Sequence, residues 1–275
     1  MLASDKTIGV VISTYNNPKW LEKTLWGYMY QSRLADEIII ADDGSDDTTR
    51  ELIQRFSQHL PIRHVWHEDL GFRKSTILNK AIVEATADYL IFTDQDCVPR
   101  ADFVAIHARY AKTGYMLSGG YFKLPMNISN DICEEDIANG NAFTFSWLKK
   151  RGLSYNFKAL KYLGPQWFCR LMNNITTTKA SWNGCNSSGW RDDMIKINGY
   201  NEDMHYGGQD REFGERLHNM GIRSKQIRYS ALTLHLDHPR PYKTAESIKN
   251  NLEIRRNTRS KGIVRTPHGI TKIDE

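Results

Sequence analysis

The stretch YLIFTDQD, residues 89–96, places two acidic side chains, Asp94 and Asp96, directly after an apolar run. The apolar run, residues 89–92, is typical of a buried strand. Two carboxylates one residue apart at the end of such a strand suit a Mg²⁺-type cation, which shares its other coordination positions with water and phosphate oxygens. The alternative is an acidic turn that caps the next helix, with Pro99 at its start. The position of the pair, directly after a buried strand, favours the metal site.

The same pattern of a buried run followed by a polar loop occurs twice upstream. Residues 8–12 (IGVVI) precede STYNN at 13–17, and residues 37–41 (EIIIA) precede DDGSDD at 42–47. Helices are predicted from Pro18, over residues 48–56 and within residues 71–85, and a further strand at 62–66. This alternation predicts an α/β fold with a mostly parallel central sheet flanked by helices. Because ligands bind beyond the carboxyl ends of such strands, we expect the three polar loops to meet in one crevice.

The composition limits the classes of protein to which the chain can belong. Its 275 residues, 40% hydrophobic and 25% charged, are ordinary for a globular protein. No run approaches the ~18 apolar residues of a membrane span, and we expect no signal peptide at the N-terminus. The four cysteines show no zinc spacing and fit a reducing compartment, so we predict a cytoplasmic protein. The net charge of +5 fits an anionic substrate or an anionic membrane surface, and no nucleic-acid motif accompanies it.

Two further pairs of charged residues belong to the same predicted crevice. Asp42 and Asp43 can accept hydrogen bonds from a uracil or a ribose, but Asp-Gly is also a strong turn signal. Both interpretations hold if one Asp caps the turn and the other contacts the base. Arg73 and Lys74 are cations that could meet a diphosphate. The competing interpretation is a solvated helix start, and we favour it for Lys74.

The second half of the chain contains three more candidate groups. Asp210 follows glycines such as Gly208 and begins a predicted helix, so it is either a general base or an acid stabilised by the helix dipole. His235 and His238 lie in and just beyond a strand-like segment. Imidazoles suit a metal such as Mn²⁺, although a lone histidine is more often buried and held by hydrogen bonds. Asn186 belongs to a polar loop that either faces a sugar or is a surface connection.

Taken together, these motifs resemble the family-two glycosyltransferases, which have the GT-A fold. The resemblance rests on VVISTYN at residues 10–16, IIADDGSDDT at 39–48, GFR at 71–73, Asn79 and FTDQD at 92–96. Downstream, INGYNED at 197–203, GGQDRE at 207–212 and HLDH at 235–238 are similar to the C-terminal half of the galactosyltransferase and chondroitin polymerase group. The resemblance covers about residues 7–242.

This resemblance implies an inverting transfer of a sugar from a UDP-sugar to a hydroxyl of a glycan or lipid-linked glycan, with Mn²⁺ or Mg²⁺ as cofactor. Nucleotide contacts are expected from Thr14, Tyr15, Asn16, Asp43, Arg73 and Asp94. The metal is expected at Asp96, with His235 or His238 completing its site. The catalytic base is expected at Asp210. Sugar contacts are expected from Asn186, Gly208 and Gln209, and related chains usually have Glu in place of Gln209.

The setting implied for this reaction is the synthesis of a bacterial surface polysaccharide or lipopolysaccharide on the cytosolic side. Two other functions compete with it. One is a non-catalytic sugar-nucleotide-binding subunit, against which the acids at 94, 96 and 210 argue. The other is a metal-dependent nucleotidyltransferase, which normally has a glycine- and basic-rich phosphate loop after the first strand, whereas residues 13–17 read STYNN.

We predict a single domain over residues 1–275 with four segments. These are a nucleotide-sugar-binding half (1–125), a helical insertion (126–180), an acceptor and catalytic half (181–242) and a basic C-terminal tail (243–275). The insertion is predicted to hold one or two helices and a loop. Its aromatic and basic residues at 147–170, with the tail, either contact anionic lipid or form an ordinary helix pair. The first half of the tail is predicted to be helical, and its end, from residue 266, to be mobile.

Overall fold

The computed structural model describes residues 6–154, 166–239 and 244–272. Within these residues the strands are Ile8–Thr14 (β1), Glu37–Asp42 (β2), Ile62–Trp66 (β3), Tyr89–Asp94 (β4), Cys97–Pro99 (β5), Tyr115–Ser118 (β6), Gly120–Lys123 (β7), Ser187–Trp190 (β8), Arg223–Gln226 (β9) and Leu232–His235 (β10). The helices are Pro18–Met29 (α1), Asp47–Phe56 (α2), Lys74–Glu84 (α3), Phe103–Tyr110 (α4), Met126–Asp131 (α5), Glu134–Ala138 (α6), Phe145–Lys150 (α7), Gln166–Ile175 (α8), Arg191–Lys196 (α9), Gln209–Asn219 (α10) and Ala245–Ser260 (α11). A short 3₁₀ helix spans Asn141–Phe143.

Seven of the described strands form one sheet in the order β3-β2-β1-β4-β8-β6-β9, in which β8 runs antiparallel to both of its neighbours. The first four strands are parallel because α1, α2 and α3 return the chain between them, and every residue of β1 and β2 is buried. The register places Thr14 beside Asp42 and Ser13 beside Asp94. The predicted α/β class, with a mostly parallel central sheet flanked by helices, is confirmed. The polar ends of β1, β2 and β4 therefore lie side by side.

Helices cover both faces of the large sheet. One face packs against α1 and α2 through side chains such as Leu25 and Leu52, and the other packs against α3 through Ile77. The helices α1 and α2 begin directly after the polar strand ends, where the side chains of Asn17 and Asp46 accept hydrogen bonds from their first turns. The caps fix where each polar loop ends and its helix begins.

A second sheet lies next to the end of β4. Among the described residues it consists of β5, β10 and β7, with β10 antiparallel to β5 and parallel to β7. Its register pairs His235 with Cys97, so the histidine lies next to the acidic strand end at Asp96. The sheet packs on residues of the insertion through an apolar cluster that includes Ile128 and Trp147.

The insertion contains more helices than predicted. Where residues 126–180 are described, they form α5, α6, α7, α8 and a 3₁₀ helix, rather than one or two helices. The reason is that several short apolar segments, each with one or two buried side chains, cover the second sheet. Residues 155–165, part of the predicted lipid-facing stretch, lie outside the described residues. No helix in the described part of the chain has both the length and the apolar character needed to cross a bilayer.

The C-terminal tail is packed against the domain. Its first half forms α11, which agrees with the prediction of a helix. The expectation of a mobile end from residue 266 is wrong as far as residue 272. Thr266 is buried, and the side-chain amide of Asn198 donates to the carbonyls of Thr266 and Thr271 at 2.8 Å each. No local sequence pattern predicts this contact, because it depends on one buried amide from a distant loop.

Candidate active site

One cavity of about 880 Å³ opens at the carboxyl ends of β1, β2 and β4. The ends of β7 and β10 also contribute to its lining, as do residues 183–185, Tyr206, Gln209 and Asp210, so both halves of the chain meet there. Of the thirteen residues predicted for the site, ten line this cavity: Thr14, Tyr15, Asn16, Asp43, Asp94, Asp96, Gln209, Asp210, His235 and His238. Arg73, Asn186 and Gly208 are not among the lining residues.

The loop after β1 is held by a residue that the sequence interpretation did not select. The side-chain oxygen of Gln95 accepts hydrogen bonds from the Thr14 hydroxyl and from the Tyr15 N–H, and its amide nitrogen donates to the Tyr15 carbonyl. The Tyr15 ring remains 43% exposed, with its hydroxyl donating to Asp69 at 2.8 Å. Asn16 has a φ of 42° and accepts from the Asp46 N–H through its side chain. The loop therefore presents a fixed aromatic face to the cavity.

Asp42 and Asp43 have different tasks, as their neighbours show. Asp42 is 1% exposed, and its carboxylate makes hydrogen bonds within the protein. Its partners are the Ser45 N–H and His64 Nε2, each at 2.8 Å. Asp43 lines the cavity, with His67 Nε2 2.7 Å from Oδ1 and the Arg73 N–H 3.0 Å from Oδ2.

The surroundings of Asp43 also change its acidity. Burial raises the pKa of Asp43, although the hydrogen bonds from His67 and the Arg73 backbone partly oppose this. The carboxylate is thus held in one orientation by two donors that belong to the protein. Of the two, Asp42 caps the turn by accepting from the Ser45 N–H, and Asp43 is the one that lines the cavity.

Of the two adjacent cations, Lys74 and Arg73, it is Lys74 that lies in the cavity. Lys74 Nζ lies 2.6 Å from Asp94 Oδ1, an oxygen that also accepts from the Ser13 hydroxyl at 2.7 Å. Burial alone would lower the pKa of Lys74, but the charges of Asp94 and Asp210 outweigh it and raise the pKa. The interpretation of Lys74 as a solvated helix start is therefore wrong. Its neighbour Arg73 turns its guanidinium to a backbone carbonyl, that of Glu68.

Asp96 lies beside two histidines, and ligand atoms of Asp96, Cys97 and His235 lie within 4.8 Å of one another, close enough to hold a metal ion. His238 Nε2 lies 2.8 Å and His235 Nδ1 3.6 Å from Asp96 Oδ2. Each histidine has its Nδ1 within 2.9 Å of a backbone carbonyl, which can only accept, so Nδ1 donates. Nε2 is then the nitrogen left for a metal or, in His238, for a hydrogen bond to Asp96. Metal-binding histidines are commonly oriented in this way. Nitrogen and carboxylate donors together suit Mn²⁺.

Two further properties of this group bear on what it can hold. Burial alone would raise the pKa of Asp96, but the hydrogen bond from His238 and the charges of both histidines lower it, so the carboxylate stays ionised. Cys97 Sγ lies 3.4 Å from Asp96 Oδ1, and burial raises the pKa of this thiol well above its usual value. A cysteine sulfur is a soft ligand that selects metals such as zinc or copper over Mn²⁺ or Mg²⁺. The histidines are therefore the better partners for a cation at Asp96.

Asp210 lies in the first turn of α10, directly against Gly184. A Cβ at Gly184 would lie 2.9 Å from both carboxylate oxygens, so a glycine at this position allows the close approach. Oδ1 of Asp210 is buried and has no hydrogen-bond partner among the described residues. Burial raises the pKa of Asp210, Lys74 opposes the rise and the charge of Asp94 adds to it. A buried carboxylate that has one oxygen without a hydrogen-bond partner is well placed to accept a proton.

The three residues predicted to contact sugar occupy different places. Gln209 lines the cavity, and its side-chain oxygen accepts from the Gly207 N–H at 2.9 Å. Gly208 is the N-cap of α10 with a φ of 100°, and the Arg255 side chain lies against it. The prediction for Asn186 is wrong, as its buried contacts show.

Asn186 is a structural residue. It is fully buried, and its amide nitrogen donates to the carbonyls of Gly120 and Ala231 at 2.8 and 3.2 Å. Its side-chain oxygen lies 3.0 Å from His107 Nε2, and burial lowers the pKa of this histidine to about 4. Every polar atom of the Asn186 side chain is thus used inside the protein, where it joins β8 to the second sheet.

Sequence reasoning missed other lining residues besides Lys74 and Gln95. Phe72 and Tyr206 line the cavity from the two halves of the chain, with their rings in edge-to-face contact at 6.0 Å. Asn183, Tyr121 and Lys123 line it as well. Some signals were present: Gln95 lies between the two acids, Phe72 between Gly71 and Arg73, and Tyr206 directly before the two glycines.

Comparison with known families matches the same two parts of the chain. The family described as Glycosyl transferase family 2 matches residues 9–131, and the family described as N-terminal domain of galactosyltransferase matches residues 172–239. The resemblance to the family 2 glycosyltransferases is confirmed. The first match contains the ends of β1, β2 and β4, and the second contains Asp210, His235 and His238.

Relatives of the chain carry carbohydrate-related names. It is 29% identical over 231 residues to validoxylamine A glucosyltransferase from Streptomyces hygroscopicus subsp. jinggangensis (strain 5008), which covers 78% of this chain and 52% of the relative. It is 24% identical over 246 residues to chondroitin synthase from Escherichia coli, which covers 84% of this chain and 35% of the relative. The chain thus spans about half the length of the first relative and about a third of the second.

Solved structures confirm the GT-A fold. TarS 1–349 from S. aureus in complex with UDP-GlcNAc has a TM-score of 0.61 at 12% identity, over 90% of this chain and 64% of that chain. The mannosyltransferase PcManGT from Pyrobaculum calidifontis in complex with GDP-Man and Mn²⁺ has a TM-score of 0.56 at 18% identity, over 93% and 62%. At these identities the likeness shows the fold alone.

Proposed function

We propose that the protein transfers a sugar, with inversion, from a UDP-sugar to a hydroxyl of a glycan or lipid-linked glycan, with Mn²⁺ or Mg²⁺ as cofactor. The observation that carries the proposal is the pairing of two groups in one cavity. The first group consists of Asp96 with His235 and His238. The second is the buried carboxylate of Asp210, of which one oxygen has no hydrogen-bond partner among the described residues.

The nucleotide lies across the ends of β1, β2 and β4. The uracil stacks on Tyr15 and donates to Asp43, and Thr14 and Asn16 shape the base pocket. Asp94, already held by Ser13, faces the ribose hydroxyls. The diphosphate meets Lys74 rather than Arg73, because Lys74 lines the cavity and Arg73 does not. In this arrangement the protein supplies fixed partners for each part of the nucleotide before it binds.

Asp96, His235 and His238 hold the divalent cation beside the diphosphate. When bound, this ion neutralises charge that develops on the leaving UDP. His235 and His238 are oriented for this task by the backbone carbonyls of Leu236 and Pro239.

Asp210 is the general base. It accepts the proton of the acceptor hydroxyl while that oxygen forms a bond to the anomeric carbon, and the bond from the anomeric carbon to UDP breaks on the opposite face. The raised pKa of Asp210 makes it a better proton acceptor than an ordinary aspartate, as long as the pH stays above that pKa. Gln209, adjacent to Asp210, contacts the donor or the acceptor sugar.

The reaction belongs to the synthesis of a bacterial surface polysaccharide or lipopolysaccharide. It takes place in the cytoplasm, with the protein peripheral on the inner face of the membrane. The names of relatives such as chondroitin synthase support a polysaccharide product. A glycan attached to a lipid would bring the acceptor to that surface.

The test is nucleotide binding and turnover by the wild-type protein. UDP with Mn²⁺ should raise the unfolding temperature by roughly 5 °C at a hundredfold excess over Kd, and a chelator should remove most of this shift. A screen of UDP-sugars should then find one that releases UDP. Absence of any UDP shift, with or without Mn²⁺, would overturn the proposal. Consumption of a nucleoside triphosphate instead would favour a nucleotidyltransferase.

A further inference from the structure

The helix α8 exposes the apolar side of an amphipathic sequence. Trp167, Leu171 and Ile175 follow one another at intervals of four residues and are 67%, 47% and 59% exposed. Side chains at this spacing form one stripe on a helix surface. A surface helix of a globular protein normally turns such a stripe towards the core. In α8 the stripe faces solvent.

The opposite side of α8 is anchored by polar contacts. Asn173 is buried, donates to the Ser230 hydroxyl at 2.8 Å and accepts from the Tyr229 N–H at 2.9 Å. Cys169, one turn earlier, is buried on the same side. The partners of Asn173 lie just before β10, and these contacts fix the helix on the domain. The buried contacts therefore determine the direction in which the exposed stripe faces. The stripe is thus a property of the folded domain.

The charge of the surrounding sequence is strongly one-sided. Residues 137–191 contain eight lysines and arginines and no aspartate or glutamate. These eight cations exceed the net charge of +5 of the whole chain, so the remaining residues carry a net negative charge. The cationic side chains that are described and exposed are Lys149, Lys150, Arg170 and Lys179. Arg170 flanks the apolar stripe on α8 itself.

We propose that α8 docks on an anionic phospholipid bilayer, with Trp167, Leu171 and Ile175 at the level of the headgroups and the neighbouring cations on the lipid phosphates. Tryptophan favours this interfacial depth, and basic residues beside an apolar helix face are typical of interfacial helices. Cations near an anionic leaflet add to the attraction. The inference rests on the membrane setting of the proposed function, which it deepens by naming the surface.

Other occupants fit the stripe less well. A second copy of the chain would bring two copies of the basic stretch 137–191 together, which like-charge repulsion opposes. A stable protein interface buries about 800 Å² on each partner, which three side chains on one helix do not supply. A bilayer requires only shallow insertion of such side chains together with the surrounding positive charge.

The test is co-sedimentation of the full chain, without donor, with vesicles of phosphatidylcholine containing phosphatidylglycerol. The wild-type protein should bind these vesicles, should be released at high salt and should bind pure phosphatidylcholine much less. The double variant Trp167→Ser, Leu171→Ser should bind at least about tenfold more weakly, because two large apolar side chains are lost. The matched control is Leu34→Ser, which replaces another exposed leucine (56% exposed) outside the acid-free stretch and should bind as the wild type does.

Three results would overturn the inference. The wild type could fail to bind anionic vesicles, the double variant could bind as well as the wild type, or Leu34→Ser could weaken binding equally. Light scattering that shows a dimer lost in the double variant would assign the stripe to contact between copies instead. The UDP-induced rise in unfolding temperature, measured on each variant, reports folding and the nucleotide site separately. Loss of vesicle binding with this shift intact therefore leaves the proposed catalytic function standing.

Discussion

Asp43 and Asp210 are two buried carboxylates in one cavity, and the protein holds them in different ways. Both oxygens of Asp43 have protein partners, His67 and the Arg73 N–H. Asp210 keeps Oδ1 without a hydrogen-bond partner among the described residues. Burial raises the pKa of both.

The difference separates two tasks that the same side chain can perform. A carboxylate with two fixed donors is oriented and can offer its remaining lone pairs to a ligand. A carboxylate with an open oxygen and a raised pKa can take up a proton. We therefore expect Asp43 to act in binding and Asp210 in turnover. Variants that disturb Asp43 should mainly change KM, and variants that disturb Asp210 should mainly change kcat.

The largest effect is expected for Asp210→Asn. An amide cannot accept the acceptor proton, so turnover should fall by roughly 10²–10⁴-fold. UDP binding with Mn²⁺ should be nearly unchanged, because the nucleotide contacts lie at the other strand ends. Turnover is measured as UDP release in the presence of acceptor, and binding by calorimetry.

Thermal unfolding serves as the control for Asp210→Asn. A carboxyl whose pKa is raised in the folded state opposes folding at neutral pH, where it must remain ionised, and this penalty fades as the pH falls through the folded pKa. The variant should therefore unfold at the same or a higher temperature at pH 7. Unchanged turnover would remove Asp210 from catalysis and favour the non-catalytic subunit.

The next largest effect is expected for Lys74→Met, and it concerns pH. The charge of Lys74 opposes the rise in the pKa of Asp210, so its removal should raise that pKa further. Since the base works only when deprotonated, the acidic limb of the pH–rate profile should move to higher pH in the variant. Arg73→Met is the matched control, because the Arg73 guanidinium contacts the Glu68 carbonyl rather than Asp94 or Asp210. An acidic limb that stays in place would contradict the role assigned to Lys74.

A smaller effect is expected for His67→Phe, which removes one partner of Asp43. A hydrogen bond to a charged group is worth about 1.5–3 kcal/mol, so KM for the donor should rise roughly ten- to a hundredfold. The value of kcat should change little, because Asp210 is untouched. His67→Gln, which keeps a donor at this position, should recover part of the affinity. A fall in kcat with an unchanged KM would break the proposed division between the two carboxylates.

The smallest catalytic effect is expected for Asn186→Ala, which tests the corrected prediction. Three buried partners, Gly120, Ala231 and His107, lose their hydrogen bond, so unfolding should become easier by about 1–3 kcal/mol. KM for donor and acceptor should stay the same. Denaturant unfolding and steady-state kinetics measure the two properties. A large change in KM with normal stability would return Asn186 to the sugar site.

The parallel half of the fold could be predicted because its signal is local. Each buried strand is a continuous apolar run, and the polar residues at its end must lie at the same edge of a parallel sheet. The strand Ile62–Trp66 has the predicted bounds, and β1, β2 and β4 extend the predicted runs by one or two residues. Thr14, Asp43 and Asp94 were brought together by this logic alone.

The rest of the site depends on contacts that no local pattern encodes. The antiparallel pairing of β10 with β5 brings His235 to Asp96 across more than a hundred residues. Lys74 and Arg73 are adjacent in sequence, and only the direction of each side chain decides which one enters the cavity. Asn186 belongs to a polar loop but is itself fully buried, which the composition of the loop does not reveal.

A crystal structure of the protein with UDP and Mn²⁺, with the manganese located by its anomalous signal, tests the central claim most directly. The account predicts manganese bound by Asp96 and by Nε2 of at least one of His235 and His238. It predicts the uracil against Tyr15 and Asp43, and the carboxylate of Asp210 free of the nucleotide and facing the space beyond the diphosphate. Manganese bound by Asp210, or UDP bound away from the ends of β1, β2 and β4, would contradict the account.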